Sequence, residues 1–132
     1  MQFLENKGRP VATTHQRGQA AEDVALAYLQ GQGLWLLERN YRTPGRGGGE
    51  IDLICRTAAG TVVFVEVRAR KNANFGGAAA SIGYSKRRRI VLAAQFWLLH
   101  QRPVPACRFD VVVVQGTQVQ WLQGAFDGST AC

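Results

Sequence analysis

Apolar positions along the chain recur at two different spacings. Ala21, Val24, Ala25, Tyr28 and Leu29 lie three and four residues apart, the period of one helical face. Thr13 and Gln16 precede them at the spacing of a capping box, and Gly31 and Gly33 close the run, so a helix is predicted between these signals. A second helical pattern begins near Ser85, carries the apolar run "IVLAAQFWLLH" and must stop before Pro103. The remaining apolar stretches are short and read as strands: "LWLLERNYR" over 34–42, "EIDLICR" over 50–56, "VVFVEVRA" over 62–69, "RFDVVVVQ" over 108–115 and "QVQWLQ" over 118–123. The four consecutive valines of the fourth suit a strand covered on both faces. Helix, three strands, helix and one or two strands make a mixed α/β sheet with helices packed against it, in one domain. A flexible polar arm is expected over 1–13, the α/β domain over 14–124 and a tail over 125–132.

The central hairpin can be registered from its turn. If Ala58, Ala59 and Gly60 form the loop, Gly60 takes the left-handed position and Thr57 faces Thr61. Cys55 then meets Val63, Leu53 meets Val65 and Ile51 meets Val67 on one apolar face. On the other face Ile54 meets Phe64, Asp52 meets Glu66 and Glu50 meets Arg68. Two carboxylates directly opposed on a sheet destabilise it, and at this separation they call for a shared proton or a cation. All-oxygen ligation suits Mg²⁺, which takes one or two carboxylates and fills its other positions with water and substrate phosphate. A structural alternative stands beside this one: Glu50 forms a cross-strand pair with Arg68, and Asp52 and Glu66 each find a nearby arginine.

Charge narrows the choice of partner. The 132 residues hold 16 Lys and Arg against nine Asp and Glu, a net charge of +7. That balance favours a polyanion, nucleic acid before an anionic membrane surface. Lys86, Arg87, Arg88 and Arg89 crowd the first turn of the second helix, where cations oppose the helix dipole. A bound phosphate would relieve that mismatch; a solvated charged face is the alternative. The opening stretch has no apolar run of the signal-peptide kind and no segment is long enough to span a bilayer, so a soluble, cytoplasmic protein without a membrane partner is expected. Cys55, Cys107 and Cys132 are odd in number and lack CxxC spacing, which gives no expectation of a disulfide framework or a zinc site. Trp35, Trp97 and Trp121 read as core or interface, and His15 and His100 as incidental.

"GGGEIDLICR" followed by "VVFVEVRAR" resembles the YraN-like family of uncharacterised bacterial proteins. "GQAAEDVALAYL", "LERNYR", "SKRRRIVLAAQFWL" and "RFDVV" extend the likeness from about Gly18 to Val114. That family is similar to a branch of the PD-(D/E)XK, or restriction-endonuclease-like, superfamily close to Holliday-junction resolvases. The resemblance implies a restriction-endonuclease-like fold, Mg²⁺- or Mn²⁺-dependent phosphodiester hydrolysis, and a structured nucleic acid, DNA first, as substrate. It implies that Asp52 and Glu66 are the metal-binding acids and that Glu22, on the first helix, is an extra carboxylate of the site. By spacing alone Glu22 lies at the margin of the apolar face, free to point toward the sheet or into solvent. Resolvase-like members act as dimers, which implies a homodimer.

Arg68 departs from the pattern, which has Lys there to steady the attacking water and the developing charge. Arginine keeps the positive charge and offers planar contacts to phosphate but cannot act as a base. A nuclease fold that grips nucleic acid without cleaving it is therefore the alternative reading. Arg70 and Lys71 follow as further phosphate contacts, with Lys71 a substitute lysine if the strand bends.

Overall fold

In the computed structural model, residues 13–45, 47–70 and 82–128 are described. The arm expected over 1–13, except its last residue, falls outside them, as does Lys71. Helix α1 spans Thr14–Gly31 and strands β1, β2 and β3 span Trp35–Arg42, Glu50–Arg56 and Val62–Ala69. Helix α2 spans Tyr84–Leu98, and β4 and β5 span Cys107–Gln115 and Gln118–Phe126. The capping box forms as its spacing predicts: Gln16 N donates to Thr13 Oγ1 at 3.1 Å and Thr13 N to Gln16 Oε1 at 2.8 Å. The last strand runs three residues beyond the predicted 118–123 because Phe126 closes on Phe109, with ring centroids 5.1 Å apart.

The five strands form one sheet in the order β1-β2-β3-β4-β5. All neighbours are antiparallel except β3 and β4, which run parallel because α2 carries the chain back across the sheet. The helices cover opposite faces. Ala21, Ala25 and Leu29 of α1 pack on Leu53, Cys55, Val63, Val65, Val112 and Val114. Ile90, Ala93, Ala94 and Trp97 of α2 pack on Ile54, Phe64 and Phe109. Val112 and Val114 of β4 lie under α1, and Val111 and Val113 are covered on the other face by Ile82, Leu122, Ala125 and Phe126, which permits the unbroken apolar run; burying each such side chain contributes about 1.5–3 kcal/mol. The mixed α/β sheet flanked by helices, in one domain, is the architecture that the pattern predicts.

Several local expectations are corrected. Trp35 lies on the edge strand β1 and is 55% exposed, with the Arg56 guanidinium 4.4 Å from its ring centroid, so of core and interface only the core is excluded for it. Cys107 is disulfide-bonded, which the odd number and spacing of the cysteines gave no reason to expect; Cys55 is free and buried. Ile51 packs with Ile54 and Phe64 on the α2 side rather than beside Leu53, so strict alternation fails at the start of β2.

The turn leading into β2 fixes how close α2 can come. Thr43 is buried and latches the turn: Thr43 N donates to the Gly49 carbonyl at 3.1 Å, and Gly49 N donates to Thr43 Oγ1 at 2.9 Å. A Cβ on Gly49 would stand 2.0 Å from the carbonyl oxygen of Arg89, so only glycine lets the first turns of α2 sit against this corner.

Candidate functional site

The central hairpin keeps the predicted turn. Gly60 has φ +92°, and Thr57 N donates to the Thr61 carbonyl at 2.9 Å. The backbone ladder follows the expected register from Arg56↔Val62 through Cys55↔Val63 and Ile54↔Phe64 to Leu53↔Val65. The ladder ends there. Beyond it, Val67 N donates to Asp52 Oδ2 at 2.8 Å, so a side-chain carboxylate takes the place of a backbone acceptor. The pairs expected further along, Ile51 with Val67 and Glu50 with Arg68, are not part of the ladder.

At this end of the ladder Asp52 and Glu66 meet, close enough for each carboxyl to feel the other. Glu66 is only 4% exposed and lies on the α2 side of β3, two residues beyond Phe64. Burial, and then the neighbouring Glu66 charge, push the Asp52 carboxyl up to about 8. The Glu22 charge adds to the rise, and the Val67 N–H opposes it. Asp52 therefore holds its proton to higher pH than an ordinary aspartate does, which is one of the two remedies that opposed carboxylates allow.

Glu22 turns inward and is buried. Arg39 of β1 draws it there, with Nε 3.3 Å from Glu22 Oε1, while Nη2 reaches Asp23 Oδ1 at 2.7 Å and the Gln19 carbonyl at 3.3 Å. Glu50 does not pair with Arg68: its carboxylate meets Arg42 Nε at 3.1 Å, because Arg42 is its partner across β1 and β2. Arg68 instead turns to Glu66, with Nη1 3.7 Å from Oε2.

A second cation on Glu66 comes from a residue that composition groups elsewhere. Lys86 Nζ, in the first turn of α2, is 3.0 Å from the same Glu66 Oε2. Its neighbours Arg87, Arg88 and Arg89 face outward and line a groove of about 940 Å³ with Gly47, Tyr84 and Leu92. Arg88 sits 5.7 Å from the Tyr84 ring centroid. The basic run is thus two features, one site cation and an arginine face. Helical spacing alone does not separate them: Lys86 shares one side of α2 with Ile90, Ala93 and Trp97, and Arg87 lines up in the same way with Ile90, Ala94 and Leu98, all of them buried. Arg70 is half-buried, and its backbone N–H donates to Val114 O at 2.9 Å.

Burial alone does not mark the site. Asp110 is fully buried on β4, yet Arg108 Nε and Nη2, Trp121 Nε1 and Gly124 N all donate to its carboxylate at 2.8–3.3 Å. That network is closed and structural. At Asp52 and Glu66 two carboxyls share one small space, and among the described residues no third His, Cys, Asp or Glu joins them as a metal ligand. A pair of hard oxygen donors at the end of a split ladder fits an ion that completes its sphere with water and phosphate oxygens. No helix among the described residues is long and apolar enough to cross a membrane.

Comparison with known proteins follows the same segments. The model of the uncharacterised protein family UPF0102 matches residues 21–114. A UPF0102 protein of Acidovorax sp. (strain JS42) is 59% identical over 124 residues, covering 94% of each chain. One of Paracidovorax citrulli (strain AAC00-1) is 65% identical over 115 residues, covering 87% of this chain and 85% of its own. Among solved structures, an EndoMS-dsDNA2 complex superposes with a TM-score of 0.40 at 18% identity, covering 83% of this chain and 41% of that one.

Proposed function

The chain belongs to the uncharacterised protein family UPF0102, the YraN-like family its motifs resemble, and from that premise we propose that it is a metal-dependent nuclease acting on structured nucleic acid. The observation that carries this reading is the meeting of Asp52 and Glu66 where the β2–β3 ladder ends, with Arg68 and Lys86 converging on Glu66. Asp52 and Glu66 are the residues that would hold Mg²⁺ or Mn²⁺. When bound, such an ion supplies an activated water and offsets charge building on the phosphate.

The chain's own residues supply the rest. Val67 N–H fixes the orientation of the Asp52 carboxylate. Glu22 adds negative charge beside Asp52, and Arg39 restrains its position. Arg68 brings a permanent positive charge to the site; it can stabilise an anionic transition state but cannot take a proton from water. Arg87, Arg88 and Arg89 present an arginine face suited to the phosphate backbone, with DNA the first candidate.

A second reading is favoured by Arg68 itself: a nuclease-like fold that binds nucleic acid without cutting it. The two part on a titration of Mg²⁺ and Mn²⁺ against branched, flapped and single-stranded substrates, with Asp52→Ala as control. Metal-dependent cleavage lost in Asp52→Ala supports the nuclease. Salt-sensitive binding with no product under any condition leaves the binder.

A further inference from the structure

We propose that Lys86 is the site's phosphate-facing cation: the lysine missing from β3 is delivered by the first turn of α2. The inference deepens the nuclease reading and rests on it for the catalytic role. Its claim of contact with phosphate stands on binding alone.

The geometry distinguishes Lys86 from both the arginine face and Arg68. Its Nζ is 3.0 Å from Glu66 Oε2, whereas Arg68 Nη1 is 3.7 Å from that oxygen. The Lys86 side chain is 48% exposed and that of Arg68 25%, so the lysine spans the distance between a buried carboxylate and open solvent. An ammonium has three N–H donors and no acceptor. One directed at Glu66 leaves two for oxygens approaching from outside, at the edge of a pair of carboxyls suited to an ion. A substrate phosphate held there would lie within reach of the same ammonium.

Two features of the chain set this contact. Lys86 shares the buried side of α2 with Ile90, Ala93 and Trp97, so packing of the helix aims it at the sheet. Gly49 permits that packing to be close, because a side chain there would collide with the Arg89 carbonyl. The glycine turn ahead of Asp52 therefore also sets how far Lys86 reaches. The first turn of α2 contains no acidic residue and Gly83 makes no side-chain cap, so Glu66 is the negative partner the structure gives Lys86.

The test compares the parent with Lys86→Gln and Lys86→Arg in three measurements. These are unfolding by urea, affinity for a fluorescein-labelled branched DNA in EDTA over a NaCl series, and kcat with KM for the same DNA in Mn²⁺. The expected result for Lys86→Gln is a salt slope shallower by about 0.9, one phosphate contact. It also includes a kcat lower by about 100-fold with KM changed less, and Lys86→Arg should recover most of both. An unchanged salt slope with lowered stability would overturn the proposal and leave Lys86 as a structural partner of Glu66. If the parent cleaves and Lys86→Gln cleaves equally well with an unchanged slope, the proposal falls while the nuclease reading stands. If the parent does not cleave, the nuclease reading falls, and the salt slope alone decides Lys86: a shallower slope supports phosphate contact and an unchanged one overturns it.

Discussion

Replacing Asp52 with asparagine should make the fold more stable, and increasingly so as pH rises. The Asp52 carboxyl is pushed up to about 8 by burial and by Glu66, whereas in an unfolded chain an aspartate titrates near 4. Below pH ~4 both states hold the proton, and the site costs nothing extra. Between there and about 8, the unfolded chain releases a proton that the folded protein keeps, so each pH unit subtracts stability at a rate of up to about 1.4 kcal/mol. Above that window both states are ionised and the loss levels off. Asp52 retains some contact with solvent, which relieves part of this penalty, so about 2–4 kcal/mol lost by pH 8 is expected. Asparagine keeps an oxygen to accept from Val67 N and carries no charge. Urea unfolding of both proteins in EDTA at pH 5, 6, 7, 8 and 9 gives the comparison, and subtracting one curve from the other cancels whatever the two proteins have in common. The difference should widen from pH 5 to pH 8 and then flatten. A constant difference, or an asparagine variant less stable than the parent at pH 8, would refute the argument that burial and Glu66 hold the proton on Asp52.

Asp110→Asn should do the reverse, costing about 3 kcal/mol in urea unfolding, since it breaks a closed buried pair with Arg108; stabilisation would show that network to be strained. Gly49→Ala should cost about 1–3 kcal/mol, because α2 must withdraw from a contact of 2.0 Å, and an unchanged unfolding midpoint would mean that the corner yields freely. Changing Arg87, Arg88 and Arg89 together to glutamine should make the salt dependence of nucleic-acid affinity shallower by about 2–3. A slope equal to the parent's would reduce that groove to a solvated face.

The chain announces most of its fold locally. Apolar spacing, the Thr13–Gln16 box and the Gly60 turn are short-range signals, and each acts where it stands. The register of the hairpin follows from the turn for four pairs, because backbone hydrogen bonds propagate it residue by residue. It stops at Leu53↔Val65, where a side chain competes for a backbone donor: the Asp52 carboxylate takes Val67 N–H, which strict alternation cannot anticipate. The meeting of Asp52 and Glu66 could be read from the sequence, but the charges around them could not. Arg68 turned from Glu50 to Glu66 because Arg42 on the neighbouring strand satisfied Glu50 first. Glu22 turned inward because Arg39, 17 residues away, was there to meet it. Lys86 was hidden by composition, since a run of four cations suggests one shared role, and only the placement of Glu66 on β3 singles out the lysine.

If Asp52 and Glu66 form a metal-dependent hydrolytic site, cleavage itself must depend on both residues and on the metal. The decisive measurement follows branched DNA over time with Mn²⁺, with Mg²⁺ and with EDTA, for the parent, Asp52→Ala and Glu66→Gln purified side by side. Product is expected with either metal and none in EDTA, with a loss of at least about 100-fold in both variants while DNA affinity in EDTA falls far less. Equal cleavage by the parent and by both variants, or product that persists in EDTA, would contradict that assignment.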